Sequence, residues 1–179
     1  MLKGITLGRN NAKGAVIMLH GLGDSGAGWA FIAQHFEKVF DLKWILPNAP
    51  AIPVTLNYGM KMPAWYDIVE LSQKGRTDVE GIEKSVKSVQ ALIDMEVKNG
   101  MPANKIIVGG FSQGGAIAYL SGLRYKDRLG GIIGLSTYLP FHDEIKENVF
   151  FFHYFSLIFI TLFFPSSPFF NNNTLGYQT

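Results

Sequence analysis

The sequence predicts an α/β fold, a mostly parallel sheet with helices on both of its faces. Three observations predict it. Short apolar runs of strand length recur at residues 15–19, 43–46, 105–108 and 129–135. Segments with apolar residues at three- and four-residue spacing alternate with those runs. A glycine-bearing loop follows both the first run and the third. Strand-helix alternation implies parallel pairing, because parallel neighbours need a crossover and a helix supplies it.

Residues 15–19 are apolar without interruption and end at His20-Gly21, the pattern of a strand buried on both faces. Trp29, Ile32, Phe36 and Phe40 follow at helical spacing. Residues 43–46 read as a short strand stopped by Pro47, and 47–63, with four prolines and no period, read as loop. The clearest helix comes next. Thr77 with Glu80 three later forms a capping-box pattern, and Val79, Ile82, Val86, Val89 and Ile93 share one face. Gly100 and Pro102 end it. Residues 105–108 form a strand, Gln113 to Leu123 a helix with Ala116, Ile117 and Leu120 inward, and 129–135 another strand.

The chain has 179 residues, enough for one domain. At 47% hydrophobic and 17% charged, wholesale disorder is excluded. A net charge of +2 gives no footing for a nucleic-acid partner. The absence of cysteine excludes a disulfide scaffold, a zinc-thiolate site and a cysteine nucleophile. The N-terminus shows no secretory h-region, so a cytoplasmic protein is expected. Charge is unevenly spread. Every charged residue lies in 1–148, whereas 149–179 hold nine of the 14 phenylalanines. Two regimes are expected: an incomplete α/β domain over 1–148, and an uncharged tail over 149–179 outside the fold.

The chemistry concentrates at Gly110-Phe111-Ser112-Gln113-Gly114, a G-x-S-x-G pentapeptide between an apolar strand and a helix. On such a strand-to-helix turn the Ser112 hydroxyl stands clear of the sheet, and the helix N-terminus offers backbone N–H groups to a negative oxygen. His20-Gly21-Leu22-Gly23-Asp24-Ser25-Gly26 leaves the first strand on the same rim. The Leu22 N–H can pair with the Gln113 N–H as an oxyanion hole. This loop lacks the Lys-Ser/Thr of a phosphate-binding P-loop. His20 precedes the serine, whereas the base of such hydrolases follows it, so His20 is expected to orient the loop. Asp24 is expected to fix the loop by hydrogen bonds, and His35 to be a surface or boundary residue.

These residues, with Pro47-Asn48-Ala49-Pro50, Met62-Pro63-Ala64-Trp65-Tyr66-Asp67 and Leu135-Ser136-Thr137-Tyr138-Leu139-Pro140, resemble the acyl-protein thioesterases and related lysophospholipase/carboxylesterases. The resemblance fades near Asn148. It implies an α/β-hydrolase fold without its C-terminal strands, and Ser112 as nucleophile with Leu22 and Gln113 at the oxyanion hole. It implies S-acylated proteins, acyl esters and lysophospholipids as substrates, with transient membrane-surface contact and no cofactor or metal. Trp65 and Tyr66 lie where the family lines its acyl groove; ordinary core aromatics are the competing reading.

The same resemblance calls for a His-Gly-x-x-Asp motif and a later histidine-loop motif, and neither motif occurs after Ser112. The candidates after Ser112 are Asp127, His142, Asp143, Glu144 and His153. Asp127 precedes the next strand and falls at the wrong end of the sheet. Asp143 falls on the correct rim, and His153 is embedded in a phenylalanine run. Residues 149–164 are too short for a membrane span, which needs about 20 residues, and show no helical or alternating period. Their phenylalanine, isoleucine and asparagine content fits A/T-rich codons, so a retained intron or gene-model error is expected, ahead of an interface anchor or a packed segment. Two function classes follow: a serine hydrolase, or a catalytically silent fragment of one.

Overall fold

The structure, a computed structural model, describes residues 2–37, 39–69, 77–141 and the backbone of 157–160. A six-stranded sheet has the order β1-β3-β2-β6-β7-β8. Its strands are β1 (Gly4–Leu7), β2 (Gly14–Leu19), β3 (Leu42–Pro47), β6 (Ile106–Phe111), β7 (Gly131–Leu135) and β8 (Leu157–Ile160). All neighbours are parallel except β1, which runs antiparallel to β3. Among the described residues three helices accompany the sheet: α1 (Ala30–Glu37), α2 (Val79–Lys98) and α3 (Gln113–Leu123).

β2 is buried at every position because β3 and β6 flank it and both of its faces are covered. The period of two sorts its side chains. Ala15, Ile17 and Leu19 enter the core under α2 and α3, with Ile82, Val89, Ile93, Ile117 and Leu120. Val16 and Met18 enter the smaller core under α1, with Ala33, Trp44 and Leu46. Lys43 opens the apolar stretch of β3 and is itself buried; its Nζ donates to both carboxylate oxygens of Glu96 on α2, at 2.9 and 2.8 Å. A buried charge needs such a partner, and two hydrogen bonds complete this one.

The structure corrects several local expectations. The N-cap of α2 is Asp78, whose side chain accepts from Gly81 N–H at 3.0 Å, while Thr77 pairs with Ile68 in an isolated bridge. Val79 is half-exposed and leaves the apolar face to Ile82, Val86, Val89 and Ile93. Residues 47–63 are not plain loop. They contain a two-stranded hairpin, β4 (Ala51–Val54) and β5 (Met60–Pro63), whose outer edges tolerate proline. The first helix is shorter than its apolar spacing suggests, because a 3-10 turn over Gly26–Trp29 precedes it and Glu37 ends it. The edge of β7 is occupied by β8, which falls in the tail expected outside the fold, with Ile132 opposite Leu157 and Leu135 opposite Ile160. No helix among the described residues is long and apolar enough to cross a membrane.

Candidate active site

Ser112 sits between the end of β6 and the first residue of α3 with φ 51° and ψ −119°. That conformation is costly for a non-glycine residue and persists only where its surroundings over-determine it. Three bonds do so here. Ser112 N–H donates to Leu135 C=O at 2.9 Å, and Ser112 C=O accepts from the Thr137 hydroxyl at 2.6 Å and from Ala116 N–H at 3.2 Å. The flanking glycines are required by contact. A Cβ on Gly110 would fall 2.3 Å from the Gly114 carbonyl carbon, and one on Gly114 would fall 2.4 Å from the His20 carbonyl oxygen. The strained turn therefore closes because strand, helix and glycine-rich loop touch through backbone alone.

The loop after β2 is equally fixed. His20 is fully buried, and its Nε2 accepts from Ala49 N–H at 3.0 Å. The proton must then sit on Nδ1, which donates to Gly21 C=O at 2.7 Å. Burial lowers the His20 pKa from its usual value, against the opposing pull of the Gly21 carbonyl and Asp24. With both nitrogens engaged, His20 is a structural neutral imidazole. Asp24 accepts from Trp29 Nε1 at 3.1 Å, Gly26 N–H donates to Asn48 Oδ1 at 2.8 Å, and Gly23 N–H donates to Pro63 C=O at 2.8 Å. Leu22 lies between these anchors. The close Gly114–His20 approach presses the loop that bears Leu22 against the turn that bears Gln113.

Trp65 and Tyr66 are 1% and 3% exposed, a burial typical of core aromatics. Their polar edges are all engaged. Trp65 N–H donates to Gln113 Oε1 at 2.8 Å, and Trp65 Nε1 donates to His20 C=O at 2.8 Å. Gln113 Nε2 donates to Tyr66 C=O at 2.8 Å, and the Tyr66 and Tyr138 hydroxyls lie 2.6 Å apart. Burial, then the neighbouring Tyr138, raises the Tyr66 pKa, so its hydroxyl keeps its proton.

The remaining candidates divide by position. Asp127 is exposed on the turn before β7, at the opposite end of the parallel strands from Ser112. His142, Asp143, Glu144 and His153 lie outside the described residues. His35 is exposed and meets the Phe36 ring edge-on. Among the described residues no group of three or more His, Cys, Asp or Glu side chains is placed to hold a metal ion. Sequence reasoning missed Thr137 and the side-chain role of Gln113. A threonine two residues past a strand has no signature of its own, and the value of Gln113 as a clamp depends on a segment 47 residues away.

The parallel sheet, the crossover helices and the strained serine between β6 and α3 define an α/β-hydrolase. The phospholipase/carboxylesterase family model matches residues 3–166, and the chain belongs to that family. It is 52% identical over 132 residues to acyl-protein thioesterase 1 of Schizosaccharomyces pombe, covering 74% of this chain and 59% of that protein. The homologue of that name in Yarrowia lipolytica is also 52% identical, over 137 residues, covering 74% and 60%. Among solved structures, Arabidopsis thaliana SOBER1 superposes with a TM-score of 0.70 at 36% identity, over 75% of this chain and 66% of that one. Zea mays acyl-protein thioesterase 2 gives 0.70 at 32% identity, over 82% and 68%. The chain spans about three-fifths of the length of the curated relatives it matches.

Proposed function

We propose that the chain carries the nucleophile and oxyanion half of a serine hydrolase of the acyl-protein thioesterase type. The observation that carries this reading is the strained Ser112 at the strand-to-helix turn. In the reaction, Ser112 Oγ bonds to the acyl carbonyl carbon while its proton passes to a base. The carbonyl oxygen gains charge against the N–H groups of Leu22 and Gln113. The carbon–sulfur bond then breaks, the thiolate leaves, and water hydrolyses the acyl-enzyme. A thiol of pKa about 8.5 leaves with little acid assistance, so thioesters react ahead of amides. The substrates are S-acylated proteins, with carboxylic and lysophospholipid esters beside them. Their acyl chains lie at membrane surfaces, which makes membrane contact transient and suits a cytoplasmic enzyme.

A second reading, a catalytically silent fragment, is favoured by one observation. After Ser112 the sequence lacks the His-Gly-x-x-Asp motif that the family resemblance calls for. A fluorophosphonate probe and a palmitoyl-thioester substrate test the two readings. The hydrolase reading expects label on Ser112 and hydrolysis, both abolished by Ser112→Ala. Activity that survives in Ser112→Ala overturns it.

The composition break supports a domain boundary near Asn148, with 149–179 outside the evolved domain. β8 falls beyond that boundary and would then be a borrowed strand. Transcript sequencing across the codons of Asn148 and Val149 tests this. A spliced message encoding His-Gly-x-x-Asp supports the boundary, and a sole transcript encoding the tail overturns it.

A further inference from the structure

The motif at residues 62–67 is part of the family resemblance, and its two aromatics are buried. Its hydrogen bonds give it a task. Residues 63–66 touch each of the three loops that surround Ser112. Toward the glycine-rich loop, Pro63 C=O accepts from Gly23 N–H at 2.8 Å, and Trp65 Nε1 donates to His20 C=O at 2.8 Å. Those two bonds fall on either side of Leu22. Toward the elbow, the Gln113 carboxamide accepts from Trp65 N–H and donates to Tyr66 C=O, both at 2.8 Å. Toward the loop after β7, the Tyr66 hydroxyl meets that of Tyr138 at 2.6 Å, one residue from Thr137, which donates to Ser112 C=O. The segment is itself moored from behind, because the Ser85 hydroxyl of α2 donates to Trp65 C=O.

We propose that residues 63–66 are a positioning bracket for the oxyanion hole: gripped by the Gln113 side chain, they hold the Leu22 loop and the elbow as one unit. This rests on the hydrolase reading given above. The chemistry explains the residue types. Only a side chain with one donor and one acceptor on a single flat group can engage a backbone N–H and the next residue's C=O together, and a carboxamide is such a group. Gln113 is 2% exposed and His20 0%, so their bonds have no water competing for them. The bracket carries no formal charge, so it fixes the two N–H donors without altering the potential that the oxyanion meets. Gln113 is thus a donor through its backbone and a positioning residue through its side chain, and Trp65 is a positioning residue alone.

The test uses the full chain with Gln113→Glu and Gln113→Met. Both keep the backbone N–H of position 113. Amide hydrogen exchange is read at Gly23, whose N–H the bracket holds, and at Val89 in the core of α2. Fluorophosphonate labelling of Ser112 is read in parallel. At pH 7.5 exchange at Gly23 is expected to rise by about tenfold or more in both variants while Val89 is unchanged. At pH 5, relative to wild type at that pH, the introduced carboxyl, whose pKa burial raises above the ordinary value of about 4.3, regains a proton to donate to Tyr66 C=O. Gln113→Glu then recovers and Gln113→Met does not. Where wild type labels, the variants label about tenfold more slowly or worse.

Unchanged exchange at Gly23, equal acceleration at Gly23 and Val89, or no recovery of Gln113→Glu at pH 5 overturns the bracket. Absence of label on wild-type Ser112 favours the silent-fragment reading, while the exchange measurement still decides the bracket. If neither variant melts cooperatively, Trp65→Phe takes their place. It removes the bond to His20 C=O together with part of a buried ring, and the same contrast between Gly23 and Val89 applies to it.

Discussion

On the β2–β6 side of Ser112, the neighbours are held by close backbone approach and by buried hydrogen bonds. Gly110 and Gly114 admit close approach, His20 is locked as a neutral ring between Ala49 and Gly21, and Gln113 grips the 65–66 backbone. Beyond β7 the situation is reversed. The described residues there contribute the Thr137 hydroxyl and the half-exposed Tyr138, and no imidazole or carboxylate. An oxyanion hole is made of backbone N–H groups, so glycines, turns and buried hydrogen bonds suffice to specify it. A base needs particular side chains brought from later loops. A family member can therefore keep the first side intact while its sequence carries no recognisable form of the second.

This contrast can be broken or sharpened by substitution. The largest effect on stability is expected from Lys43→Met, which leaves Glu96 charged and buried and should cost about 3–5 kcal/mol in chemical unfolding. Adding Glu96→Leu should recover most of it, because the uncompensated charge rather than the lost pair is the penalty. If the single variant costs no more than the double, the pair does not moor α2 to β3. The β2–β6 side would then rest on less scaffold than described.

A smaller loss, about 1–3 kcal/mol, is expected for Gly114→Ala, whose Cβ would need room now filled by the His20 and Leu19 carbonyls. A melting temperature equal to wild type would show that the loop and elbow do not touch as closely as described.

The smallest effect is a pH dependence. His20 has its pKa lowered in the folded state, mainly by burial. As pH falls below about 6.5 the unfolded chain takes up the proton first. Its contribution is therefore complete above that pH and is lost as pH falls toward the folded-state pKa, no more steeply than about 1.4 kcal/mol per pH unit. His20→Gln should flatten the decline of melting temperature between pH 7 and pH 5. An equally steep decline in the variant would assign the acid sensitivity to other groups.

The central strands and the elbow were legible from sequence because their signals are local. β2 is an unbroken apolar run, and G-x-S-x-G sits between a strand pattern and a helix pattern. The parts that escaped depend on distant partners. β1 is four residues whose pairing is decided by β3, and the β4–β5 hairpin hides among prolines that an edge position tolerates. Asp78 displaced Thr77 as cap because one carboxylate serves both Gly81 and Asp67. Trp65 and Tyr66 read equally well as groove or core from sequence, and both are buried.

The most direct test of the contrast compares two proteins: the full 179-residue chain, and residues 1–148 joined to the C-terminal third of an intact relative. The rate of fluorophosphonate labelling at Ser112 is measured in both, alongside palmitoyl-thioester turnover. A built oxyanion side without a base predicts that the joined protein labels and turns over, with both abolished by Ser112→Ala. The full chain should then be slower by about 10³-fold or more, the scale on which loss of triad members acts. Labelling and turnover of the full chain within about tenfold of the joined protein would contradict it. That result would place a working base among residues 142–179, with His153 and Asp143 the first pair to substitute.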